Sequence, residues 1–136
     1  MISRLSRHVF LLSMFAAVGA ANAQTANTSN SELPRFLVYF DEFSANLSAE
    51  AKSVIADAAK RAKETGAKGI VVQARASATG TAETNKYLAQ TRSSIVTDQL
   101  EEDGIARTLI RQEPIGQTGS SDPTVYNRRV DIILQR

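Results

Sequence analysis

The chain has 136 residues, with 16 basic and 14 acidic side chains, a single histidine, and neither cysteine nor tryptophan. The absence of Cys excludes disulfides, thiol nucleophiles and thiolate zinc sites, and His8 alone provides no Ser-His-Asp triad in the body of the chain. The glycines at 66, 69, 80, 104, 116 and 119 are scattered singly, so no Gly-rich phosphate loop is present.

The first segment reads as a secretory signal peptide over residues 1–23. Arg4 and Arg7 give a positive start, Val9 to Ala21 form an apolar run, and Ala21-Asn22-Ala23 places small residues at a cleavage site. The run is shorter than the ~20 residues that a membrane-spanning helix needs. No Cys follows it to carry a lipid. Cleavage after Ala23 removes Arg4 and Arg7, leaving 14 basic residues against 14 acidic ones. The basic isoelectric point therefore leans on the signal and is not a nucleic-acid footprint. What remains suits one domain with no transmembrane segment. Residues 24–34, QTANTSNSELP, are polar and read as a flexible leader to a domain over 35–136.

Phe36 to Phe40 reads as the first strand. Phe36, Val38 and Phe40 share one face, and Leu37 and Tyr39 the other. Apolar residues on both faces predict a place near the middle of a sheet. Ser48 is a suitable N-cap, with Glu50 in the first turn, for a helix running to about Thr65. Ala51, Val54, Ile55, Ala58, Ala59 and Ala62 form its apolar stripe, and Gly66 ends it. Ile70 to Ala76 reads as the second strand, followed by a loop around Gly80. A second helix is predicted from about Ala82 to Asp103, with Tyr87, Leu88, Ile95, Val96, Gln99 and Leu100 in a less regular stripe. Thr108 to Gln112 reads as a third strand, Pro114 to Pro123 as loop, and Val130 to Leu134 as the last strand. The order β-α-β-α-β-β predicts an α/β (α+β) two-layer sandwich, with two helices covering a mixed sheet of about four strands.

The adjacent acids Asp41-Glu42 and Glu101-Glu102 point in different directions on a regular element and make no acid/base couple. No catalytic group, metal site or cofactor site is expected. Tyr39 and Phe43 read as core or rim packing. By spacing alone, Arg92 reads as a solvated helix residue or a surface partner of Asp98 or Glu83.

Three segments line up with one family. Val38-Tyr39-Phe40-Asp41 followed by Leu47 and a helix resembles its opening strand. Gly80, Asn85, Leu88, Arg92, Val96, Leu100 and Gly104-Ile105 are spaced like its central motif. Asn127-Arg128-Arg129-Val130-Asp131-Ile132 resembles its closing motif. Together they make residues 36–134 resemble the OmpA-like domain of outer-membrane proteins, peptidoglycan-associated lipoproteins and flagellar stators. The resemblance implies a non-catalytic protein of the periplasm, associated with the outer membrane through other envelope proteins. Its ligand would be peptidoglycan, held at the zwitterionic diaminopimelate of the stem peptide by one Arg and one acid. Arg92 stands at the family's Arg position and Asn85 at its Asn position. Ser77 occupies the place of the acid, three residues before Gly80, and Ala74, Arg75 and Ala76 replace the family's Gly, aromatic or His, and Thr. Arg128 and Arg129 alternate across a strand start, so one would line the site and the other would be structural. Glu83 lies near in sequence as a substitute acid. A charge-assisted hydrogen bond is roughly twice as strong as a neutral one, so the exchange of Asp for Ser implies weak binding. The alternative is a degenerate domain that has lost the ligand and serves as a protein-interaction or assembly module.

Overall fold

The computed structural model describes residues 33–76, 80–117 and 127–136. The segment read as a signal peptide, most of that read as a leader, Ser77 and the later part of the Pro114–Pro123 segment lie outside the described residues.

The elements follow the predicted order: β1 (Arg35–Tyr39), α1 (Ala49–Thr65), β2 (Gly69–Ala76), α2 (Ala82–Glu102), a 3-10 turn (Arg107–Leu109), β3 (Ile110–Gln117) and β4 (Arg129–Gln135). The sheet has four strands in the order β1-β4-β2-β3. β4 runs antiparallel to both β1 and β2, and β3 runs parallel to β2. A parallel neighbour requires a long crossover, which α2 supplies.

The helices begin where capping side chains allow. Ser48 Oγ accepts from the Ala51 N–H at 3.0 Å, and Thr81 Oγ1 accepts from the Thr84 N–H at 3.1 Å. Gly66 closes α1 in the left-handed region at φ 60°, where its N–H bonds back to the last turn. The core lies between the helices and one sheet face. Val38 and Phe40, Ile70, Val72 and Ala74, and Val130, Ile132 and Leu134 meet Ile55, Ala58, Ala59, Val96 and Leu100 there. The small residues of α1 let it lie close on the sheet.

Three sequence expectations need correction. β1 is an edge strand, not a central one, because its second face carries the half-buried Leu37 and the exposed Tyr39. β3 continues through Pro114 to Gln117, into the stretch read as loop. It is the other edge strand, where a missing N–H is tolerated, and a register shift at Ala74/Arg75 accommodates Gly116 at φ 75°. The stripe of α2 also differs. Tyr87 is exposed, Leu88 and Ile95 are half-buried, and the buried row is Asn85, Ala89, Arg92, Ser93, Val96, Thr97 and Leu100. Ser93 and Thr97 satisfy themselves within the helix, Oγ of Ser93 donating to Gln90 O at 2.9 Å and Oγ1 of Thr97 to Ser93 O at 2.8 Å.

The face away from the helices carries linked polar side chains beside the apolar Leu37, Val71 and Ile133. Asp131 is fully buried there, although it lies in the apolar run of β4. Its carboxylate accepts from Arg35 Nη1 at 3.1 Å and from Arg129 Nε at 2.8 Å. Two opposite charges and two charge-assisted bonds make its burial tolerable.

Candidate ligand site around Arg92

β1 and β2 end at the same edge of the sheet, where β4 begins. The carboxyl ends of strands are a recurrent position for ligand crevices in α/β sheets. α2 starts just beyond β2, and side chains on a helix lean toward its N-terminus. Arg92 therefore reaches back along α2 to the strand ends. Asn85 is seven residues earlier, two turns along the same face.

The Arg92 side chain is completely buried, so the solvated-helix reading does not hold, and it makes no ion pair with Asp98 or Glu83 among the described residues. Its guanidinium donates to three main-chain oxygens. Nε reaches Ser44 O at 2.8 Å, Nη2 reaches Asp41 O at 2.9 Å, and Nη1 reaches Arg75 O at 3.2 Å. The carbon of the guanidinium also lies 5.0 Å from the centre of the Phe40 ring. This one side chain thus ties the β1–α1 turn to the end of β2. The planar fork suits that task, since its donors point several ways at once. Of its five N–H groups, three are used in these bonds, leaving one on each terminal nitrogen without a partner among the described residues.

The charge has no matching carboxylate among the described residues. Burial, and then repulsion from Arg128, lower the Arg92 pKa to about 10, which leaves it cationic at neutral pH. Carbonyl dipoles stabilise the cation but do not neutralise it. Arg128 itself contacts Glu42 at 3.8 Å, and its Nε is buried without a hydrogen-bond partner. Arg129 points to the other side of the sheet, into the Asp131 pair, as the alternation at this strand start predicts. Asn85 and Asn127 are both buried and engaged. Glu83 is exposed in the first turn of α2. Next to Arg128, between β1 and the start of α1, lies an open cleft of about 560 Å³ lined by Phe40, Asp41, Ser48, Glu50 and Val54 among others.

The structure thus brings together Arg92 and Arg128, and places Arg129 elsewhere. Sequence reasoning missed the contributions of Asp41 and Ser44, which act through their main-chain oxygens and leave no side-chain signal. Tyr39 and Phe43, read as core or rim packing, are 43% and 60% exposed and so lie outside the core. Among the described residues, no group of three His, Cys, Asp or Glu residues is placed to hold a metal ion. No helix among them is long and apolar enough to cross a membrane.

Comparison with known structures gives the same architecture. The peptidoglycan-associated lipoprotein from Burkholderia pseudomallei is 26% identical, with a TM-score of 0.67, over 80% of this chain and 98% of that one. The OmpA-like domain of FopA1 from Francisella tularensis subsp. tularensis SCHU S4 is 21% identical, with a TM-score of 0.64, over 74% of this chain and 73% of that one. The periplasmic domain of Helicobacter pylori MotB is 19% identical, with a TM-score of 0.64, over 74% of this chain and 81% of that one. At 21% and 19% identity the latter two speak to the fold alone. No curated protein matches the sequence. The OmpA family model matches residues 39–129, from the end of β1 to the start of β4, and the chain belongs to the OmpA family.

Proposed function

We propose that this chain is a non-catalytic module of the cell envelope that holds peptidoglycan non-covalently through the diaminopimelate of its stem peptide. The observation that carries the reading is the Arg92 charge, buried at the strand ends with no carboxylate opposite it among the described residues. A cation so placed favours an incoming anion, because each is poorly solvated there and their attraction is little screened. A ligand carboxylate would take the two remaining Arg92 N–H groups. Arg128 adds positive potential, and Asn85 and Ser77 supply neutral polar groups for the rest of the zwitterion. Arg129 belongs with Asp131 and has a structural role. The ligand ammonium meets no acid at the Ser77 position, so the affinity is modest. Asp41 and Glu42 are the acids nearest in the chain to the Arg92 carbonyl partners.

Under this reading residues 1–23 direct export, residues 24–34 are a leader, and the domain works in the periplasm. Contact with the outer membrane then runs through other envelope proteins. The 26% identical peptidoglycan-associated lipoprotein supports the ligand.

A second reading has its own observation. Arg92 is fully buried, and each of its nitrogens already has a carbonyl partner. An arginine in that state is sufficient as an architectural staple, which fits a degenerate domain that binds proteins rather than peptidoglycan. Co-sedimentation with purified sacculi separates the two. Under the first reading the protein pellets, and Ser77→Asp pellets more completely. Under the second the protein stays in the supernatant, and only Ser77→Asp gains binding.

A further inference from the structure

The turn between β1 and α1 holds its central residue at a conformational cost. Phe43 has φ 53°, and it is the one non-glycine residue with positive φ among the described residues. The left-handed region is unfavourable for a side chain of this bulk and is usually filled by Gly, Asn or Asp. Burial does not compensate, because Phe43 is 60% exposed. The same conformation is nevertheless firmly held. The Ser44 N–H donates to Asp41 O at 3.1 Å, closing the turn. Arg92 Nη2 and Nε then bind the carbonyls of Asp41 and Ser44, on the two sides of Phe43. A Cβ placed on Gly80 would lie 3.9 Å from Phe43 Cε1, so the ring stands beside the segment leading into α2. An exposed aromatic ring, on a strained backbone, therefore stands on the turn whose carbonyls Arg92 holds. A strained residue that the surrounding bonds over-determine is a reason to look for a ligand contact.

We propose that Phe43 is a stacking residue of this site, whose ring receives the apolar C–H face of the ligand that brings a carboxylate to Arg92. The inference rests on the peptidoglycan reading and adds a second contact to it. Two parts of that polymer offer such a face: a pyranose ring of the glycan, and the aliphatic portion of the stem peptide. The chemistry is the same for both, a C–H surface laid on an aromatic face, with the ring's flatness and rigidity keeping the entropy cost low. Arg92 serves both contacts, the anion directly and the ring through the turn it holds.

The test compares Phe43→Gly, Phe43→Leu and Phe43→Tyr with the parent protein. Each is titrated with a disaccharide-bearing muropeptide and with the sugar-free stem peptide, and its melting temperature is measured. Removing the strained side chain is expected to raise the Phe43→Gly melting temperature by about 4 °C. The same variant should lose roughly 5- to 10-fold in muropeptide affinity. Phe43→Tyr should bind like the parent and Phe43→Leu should be weakened. A loss confined to the muropeptide assigns the face to the pyranose; an equal loss with the stem peptide assigns it to the aliphatic part. The proposal is overturned if the parent binds and Phe43→Gly binds as tightly. It is also overturned if Phe43→Gly melts below the parent, since the ring would then be a packing element. A parent that binds neither probe removes the peptidoglycan reading itself, and this inference with it.

Discussion

Replacing Arg92 by Met removes the charge and the hydrogen bonds while keeping most of the volume. Three charge-assisted bonds, to the carbonyls of Asp41, Ser44 and Arg75, are lost. At about 1.5 kcal/mol each they amount to roughly 4.5 kcal/mol. The contact with the buried Phe40 ring adds about 1 kcal/mol. Against this, the variant no longer keeps an uncompensated cation out of water. Lowering the Arg92 pKa to about 10 corresponds to a cost of roughly 3 kcal/mol for the charged form, which Met does not bear. The balance is a destabilisation of roughly 2.5 kcal/mol. Equilibrium urea unfolding should show it as a lower midpoint with an unchanged slope, and thermal melting as a drop of about 10 °C. Arg92→Lys should fall between the two, since a point ammonium does not span all three carbonyls. A Met variant as stable as the parent would refute the claim that the guanidinium holds the β1–α1 turn to the end of β2.

Other consequences follow from the same geometry. Asp131→Asn strips the buried carboxylate from Arg35 and Arg129 and is expected to cost about 3 kcal/mol, read by urea unfolding. Ser48→Ala and Thr81→Ala each remove an N-cap and should cost about 1 kcal/mol, additively, because the two caps belong to different helices. Ligand affinity measured against pH should hold through neutrality and fall as pH rises through about 10, where Arg92 loses its proton. The sign follows from its depressed pKa: the anion-binding form is the one present below that value.

The first layer of the fold was legible because its signals are local. Ala51, Ile55, Ala58, Ala59 and Ala62 repeat at helical spacing and are the residues that α1 buries. The second helix was less legible because its buried face is partly polar. Asn85, Arg92, Ser93 and Thr97 interrupt any apolar period; Ser93 and Thr97 are tolerated through carbonyls of their own helix, and Arg92 through distant carbonyls that no spacing rule supplies. Tyr87 was misplaced for the same reason. The extension of β3 through Pro114 depends on its edge position, a tertiary fact. Asp131 shows the limit again: an acid in an apolar strand looks like a solvent-facing residue until Arg35 arrives from another strand. Arg92 was singled out by the family resemblance, whereas helical spacing alone placed it in solvent. Its three oxygen partners were not legible, since any residue type offers a main-chain carbonyl.

The central claim is that a stem-peptide carboxylate approaches the Arg92 guanidinium. Its most direct test is an NMR titration of the labelled protein with a diaminopimelate-containing stem peptide, following the Arg92 Nε–H signal and the amides of Asp41 to Ser44. The account predicts saturable shifts centred on these signals, larger in their ligand response for Ser77→Asp. Signals that stay fixed in the parent at saturating peptide, while those of Ser77→Asp move, would contradict it and leave Arg92 as a staple of the fold.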